Sequence, residues 1–204
     1  MEVVKIAEQI EEIYISNRTL IIGIDGLGGA GKSTISEKLY KIFCDNGYHV
    51  ALFHIDDFIH PKAIWYNDNY AEWECYYNLQ WRYDYLINDV VNPIRCGNDF
   101  TDKVELYDKD NDTYYLVDAN VPVGSIVIIE GVFLQRQELK DLFDYMIYID
   151  IPEEVRLKRV LERDGYIGNQ QQIKAKYDNR YFPAEHYYIK ECSPSKNADY
   201  IIEE

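Results

Sequence analysis

Gly26, Gly31, Lys32 and Ser33 stand at the spacing G-x-x-x-x-G-K-[ST], a pattern whose residue types suit one task, gripping a polyphosphate. Gly26, Gly28, Gly29 and Gly31, with Ala30 among them, let the backbone curl until successive N–H groups face phosphate oxygens. Lys32 can reach the outer phosphates and the Ser33 hydroxyl can ligate Mg²⁺. Thr34 continues into a helical pattern whose N-terminus adds partial positive charge. The chemistry implied is binding of a nucleoside triphosphate.

A phosphotransferase also needs an acid facing the acceptor, an acid near the metal and cations around the phosphoryl group. Asp56 and Asp57 follow an apolar run, Val50–Ile55, that reads as a buried parallel strand. Ligands of open parallel sheets sit beyond the carboxyl ends of the strands. A carboxylate there could deprotonate a hydroxyl or hold Mg²⁺ through water, although aspartates are equally at home in a helix cap. Glu130 ends the apolar run 125–129 and Asp150 ends 145–149, so both are placed to hold Mg²⁺ or its waters. Arg156, Arg159 and Arg163 recur at helical spacing on one face. That face suits either a phosphoryl clamp or surface pairing with Glu153, Glu154 and Glu162.

The elements that must position these groups follow from periodicity. Residues 1–16 give an amphipathic helix. Leu20–Asp25 gives the strand before the loop, and residues 32–46 the helix after it, stopped at Gly47. Residues 62–96 are crowded with tyrosine and tryptophan, part of which could cover a base or sugar while most reads as core, with a helix face from Leu79 to Val90. Residues 103–117 read as a hairpin around a polar turn. A helix over 153–164, a polar lid at about 165–172, a helix over 172–191 and a strand at 199–202 complete an α/β chain, read as one domain over residues 1–204.

Composition narrows the partners. The 204 residues carry a net charge of −15, which leaves no broad basic surface for nucleic acid. No apolar run reaches membrane-spanning length and no basic, apolar leader opens the chain. The four cysteines lack C-x-x-C spacing and read as reduced thiols of a cytoplasmic protein. A homo-oligomer is left open.

In order along the chain, Ile22–Thr34, Asp56-Asp57-Phe58, Tyr107-Asp108, 128–131, 142–144, 148–150, 156–159, Arg163-Asp164 and 198–202 resemble the uridine kinase family. That family belongs to a wider group with phosphoribulokinase and nicotinamide riboside kinase. The resemblance implies a three-layer P-loop kinase with a mostly parallel sheet of about five strands and a short lid. It implies transfer of the γ-phosphoryl group of ATP, or GTP, with Mg²⁺, to a hydroxyl such as the 5′-hydroxyl of a nucleoside. It places Asp56 rather than Asp57 at the catalytic position, Glu130 rather than Asp150 at the metal, and Arg156, Arg159 and Arg163 beside the lid. It sets Asp57, Phe58 and Tyr107, with Trp81 of the aromatic stretch, on the acceptor side. The chain also departs from the family. Where uridine kinases carry an Asp-His-Pro segment for the ribose, residues 76–81 read Tyr-Tyr-Asn-Leu-Gln-Trp. After Tyr107-Asp108 a histidine and arginine give way to Asp110-Asn111-Asp112-Thr113. A vitamin precursor or sugar phosphate as acceptor therefore stays open beside the nucleoside, as does a nucleotide switch without a small-molecule acceptor, although no Asn-Lys-x-Asp guanine motif occurs.

Overall fold

The computed structural model describes residues 2–203. Five parallel strands form the central sheet in the order β2-β5-β1-β6-β7. They are β1 (Leu20–Gly26), β2 (Val50–His54), β5 (Ile126–Gly131), β6 (Tyr145–Asp150) and β7 (Tyr200–Glu203). β1 lies between β5 and β6 and is buried along its whole length, which explains its unbroken apolar run. β2 is an edge strand and only half-buried after Val50, contrary to the expectation of a buried one. Its outer side is approached by a separate antiparallel hairpin, β3 (Phe100–Asp108) with β4 (Thr113–Val121). The hairpin is longer at both ends than its alternation suggested.

Helices cover both faces, giving three layers. On one face α1 (Glu2–Ile13) buries Ile6, Ala7 and Ile10, and α2 (Lys32–Asp45) buries Leu39 and Phe43 against Ile22, Ile24, Ile128 and Ile147. On the other, the aromatic stretch folds as α3 (residues 72–79) and α4 (residues 83–95), burying Tyr76, Tyr77, Leu86 and Val90 over Ile21, Val127 and Ile129. α5 (Glu153–Arg163) and α6 (residues 170–192) follow β6. The polar stretch expected as a lid ends sooner than expected, because α6 already begins at Gln170 behind an Asn169 cap that accepts from the Gln172 amide at 3.0 Å. Within α6, Tyr177–Tyr181 forms a widened, π-type turn. No described helix is long and apolar enough to cross a membrane.

Candidate active site

β1 and α2 fix the loop between them. Gly29 (φ 81°) and Gly31 (φ 99°) adopt left-handed conformations that side chains resist. At Gly29 there is also no room, since a Cβ would lie 2.8 Å from Val160 and 2.9 Å from the Arg156 carbonyl of α5. Asp25 holds the strand–loop junction from beneath. Fully buried, it accepts from the Gly26 amide (2.8 Å), Gln135 Nε2 (3.0 Å) and the Tyr188 hydroxyl, and burial pushes its carboxyl pKa up despite these bonds.

The loop opens into a cavity of about 290 Å³. Gly28, Gly29, Lys32 and Ser33 line it, and so do Asp56 and Glu130 from the ends of neighbouring strands. Close packing sets the Asp56 turn. A Cβ on Gly131 would fall 1.9 Å from Ile55, so the end of β5 admits only glycine against the residue before Asp56. Lys32 Nζ meanwhile donates to the Leu27 carbonyl at 3.2 Å. Ser33 Oγ donates to Glu130 Oε1 at 2.9 Å, and His54 Nδ1 meets the same oxygen at 2.7 Å. Burial works to raise the Glu130 pKa, but the His54 bond, the Lys32 charge and the Ser33 bond outweigh it and hold the carboxyl low. The Glu130 bond in turn raises the His54 pKa. A serine hydroxyl in contact with an ionised carboxylate is a hard-oxygen pair suited to Mg²⁺. Asp150 does not line the cavity.

The other expected residues divide. Gly26, Ala30, Gly31 and Thr34 shape the loop without lining the cavity, and the Ala30 amide is spent on the Leu27 carbonyl (3.1 Å). Asp57 faces away, toward the clefts beside the hairpin, and burial raises its pKa. Tyr107 is buried, donates to Asp112 at 2.5 Å and sits by one of those clefts. Phe58 is wholly buried against Phe53 and Tyr85, and Trp81 packs among Tyr76, Tyr83 and Phe133. The aromatic character of these two serves the core, and neither reaches the cavity.

The arginine face is likewise split. Arg156 is buried and consumed by structure. It donates to Glu185 Oε2 (2.8 Å) and to the carbonyls of Gly28 and Ile151 (3.0 Å each). Glu185 Oε1 accepts from the Gly28 amide at 2.9 Å, so this buried pair braces the loop against α5 and α6. Arg159 reaches the Gly29 and Ala30 carbonyls at 3.4 Å, outside the cavity lining. Arg163 alone of the three lines the cavity, steered by buried Asp164, which takes its Nε at 2.6 Å and the Tyr177 hydroxyl at 2.7 Å. Glu153 pairs with His186 rather than with an arginine of its own helix.

Trp65 and Tyr76, from the aromatic stretch of which part could cover a base or sugar, line the cavity, together with Gln80, Lys109, Tyr166, Lys176, Arg180 and Tyr181, which the sequence did not single out. A phosphate loop, a metal-suited oxygen pair and a carboxylate thus line one cavity, the arrangement that phosphoryl transfer requires. Independently, the model of the phosphoribulokinase / uridine kinase family matches residues 21–204. The chain belongs to that family. It is accordingly an ATP-dependent kinase that phosphorylates a hydroxyl. A uridine kinase of Macrococcus caseolyticus is 30% identical over 156 residues, 72% of this chain and 70% of that protein. One from Staphylococcus epidermidis is 28% identical over 191 residues, 92% and 89% of the two chains. A solved structure described as a possible uridine kinase from Bacillus stearothermophilus superposes with a TM-score of 0.80 at 30% identity, covering 99% of this chain and 100% of that one.

Proposed function

We propose that this kinase phosphorylates the 5′-hydroxyl of a nucleoside, with Asp56 as the base. The supporting observation is that Asp56 shares one cavity with Gly28, Gly29, Lys32 and Ser33, whereas adjacent Asp57 does not. Asp56 orients the hydroxyl and takes its proton as its oxygen bonds to the γ-phosphorus and the bond from that phosphorus to the β–γ bridging oxygen breaks, releasing ADP. Lys32 turns from the Leu27 carbonyl to the outer phosphates, and Arg163 neutralises charge on the transferring group. Ser33 and Glu130 would hold Mg²⁺, which would supply positive charge to offset that of the phosphates. The names of the relatives supply the nucleoside. A non-nucleoside acceptor is the second reading, favoured by Tyr76 and Gln80 lining the cavity in the stretch where uridine kinases carry their ribose-binding aspartate. The free cysteines fit a cytoplasmic enzyme.

The test is ADP release from ATP and Mg²⁺ across uridine, cytidine, purine nucleosides, sugar phosphates and vitamin precursors. Uridine or cytidine should raise the rate well above that with water alone. Stimulation by another class alone would transfer the assignment to the second reading, and no stimulation by any acceptor would point to a switch.

A further inference from the structure

The far wall of the cavity presents hydrogen-bond donors in an unusual state. Arg180 is 2% exposed, yet no described carboxylate pairs with it. Two neutral oxygens hold it, the Glu72 carbonyl (3.2 Å from NH1) and Gln80 Oε1 (2.7 Å from NH2). Three rings surround its guanidinium, with centroids at 4.6 Å (Trp65), 5.3 Å (Tyr76) and 5.6 Å (Tyr66). A guanidinium has five N–H donors and no acceptor, so donors remain unspent. The second observation is independent. Trp65 also lines the cavity, and its indole N–H is buried without any partner. A buried donor left unmatched is costly, and of the unpartnered buried groups among the described residues Trp65 is the one that lines this cavity. The widened turn of α6 carries Arg180 into this wall, and such turns recur at functional sites.

Two adjacent groups that can only donate call for oxygens that can only accept. Around them the wall carries the rings of Trp65, Tyr76 and Tyr181, with Gln80, Lys109 and Lys176 also lining the cavity. A planar base can stack on such ring faces. We propose that Arg180 and the Trp65 indole N–H determine base specificity by receiving carbonyl oxygens of the acceptor's base, so that the enzyme prefers an oxo-pyrimidine nucleoside to its amino counterpart. In the amino base an N–H₂ would meet N–H donors, leaving both sides unpaired. This inference rests on the nucleoside reading above.

The experiment measures kcat and KM for uridine and cytidine at saturating ATP, in the native chain and in Arg180→Lys, Arg180→Gln and Trp65→Phe. The native enzyme should favour uridine by at least about ten-fold in kcat/KM. Arg180→Lys and Arg180→Gln should bring that ratio toward one through a higher uridine KM, with the KM for ATP unchanged. Trp65→Phe keeps the ring and removes only the indole N–H. It should raise the uridine KM several-fold and the cytidine KM less, and it serves if the Arg180 variants fail to fold. Equal use of both nucleosides by the native enzyme, or an unaltered ratio in folded variants, overturns the inference while leaving the nucleoside reading intact. Turnover of an anionic acceptor with no turnover of any nucleoside overturns the reading itself and this inference with it.

Discussion

At the phosphate end of the cavity, backbone and short-range packing set every position: Gly29 has no room for a side chain, Gly131 none against Ile55, and Asp25 ties the loop down from below. At the acceptor end, long side chains from four separate segments, carrying Trp65, Tyr76, Lys109 and Arg180, converge across the same space. The first end is announced by local sequence, because a tight loop can be built in only a few ways, even though the residues packed against it are remote in the chain. The second depends on tertiary packing, and the same residue types could have served as core.

The largest expected effect lies at the phosphate end. Lys32→Ala should lower kcat/KM by about 10²–10³-fold, since it removes a preorganised charge, while the melting temperature moves little. A mild kinetic loss would break the contrast. Next come residues that spacing marks as catalytic and contacts mark as structural. Arg156→Ala leaves Glu185 buried without its cation and should destabilise the fold by about 3–5 kcal/mol in urea titration, with removal of both charges costing less. A stable Arg156→Ala protein with weakened ATP binding would return Arg156 to the phosphate clamp. Phe58→Leu, on the acceptor side by sequence but in the core by structure, should cost about 1–2 kcal/mol and leave the acceptor KM unchanged.

The smallest effect is in pH. His54 is held above its ordinary pKa of 6.5 by Glu130, so the stability from this contact is complete below about 6.5 and fades as pH rises through the raised His54 value. Glu130, held below its ordinary 4.5, loses its share only as pH falls through the lowered value. Melting temperature should drift down across the His54 window, and His54→Gln should flatten that drift. An unchanged slope would show that the contact carries no linkage.

The same contrast explains what could be read in the chain. The loop, the strand ends at Asp56 and Glu130, the order of helices and the hairpin were legible, because each is a local pattern of period or turn chemistry. β2 misled because an apolar edge strand and a buried one look alike until the hairpin beside it is known. Arg156 misled because its partner Glu185 is remote in sequence and periodicity cannot show an ion pair. Arg180 and Trp65 each gave a faint signal, a lone arginine among tyrosines at 177–181 and a tryptophan in a run that serves mostly as core. Only packing separates a ring that lines a cavity, such as Trp65, from one that fills the interior, such as Trp81.

The central claim is that Asp56, across the cavity from the loop, activates the acceptor hydroxyl. Asp56→Asn tests it most directly, by single-turnover phosphoryl transfer alongside equilibrium binding of an ATP analogue. Transfer should fall by about two or more orders of magnitude with nucleotide affinity near normal. Transfer at the native rate in a variant that binds nucleotide normally would contradict the account.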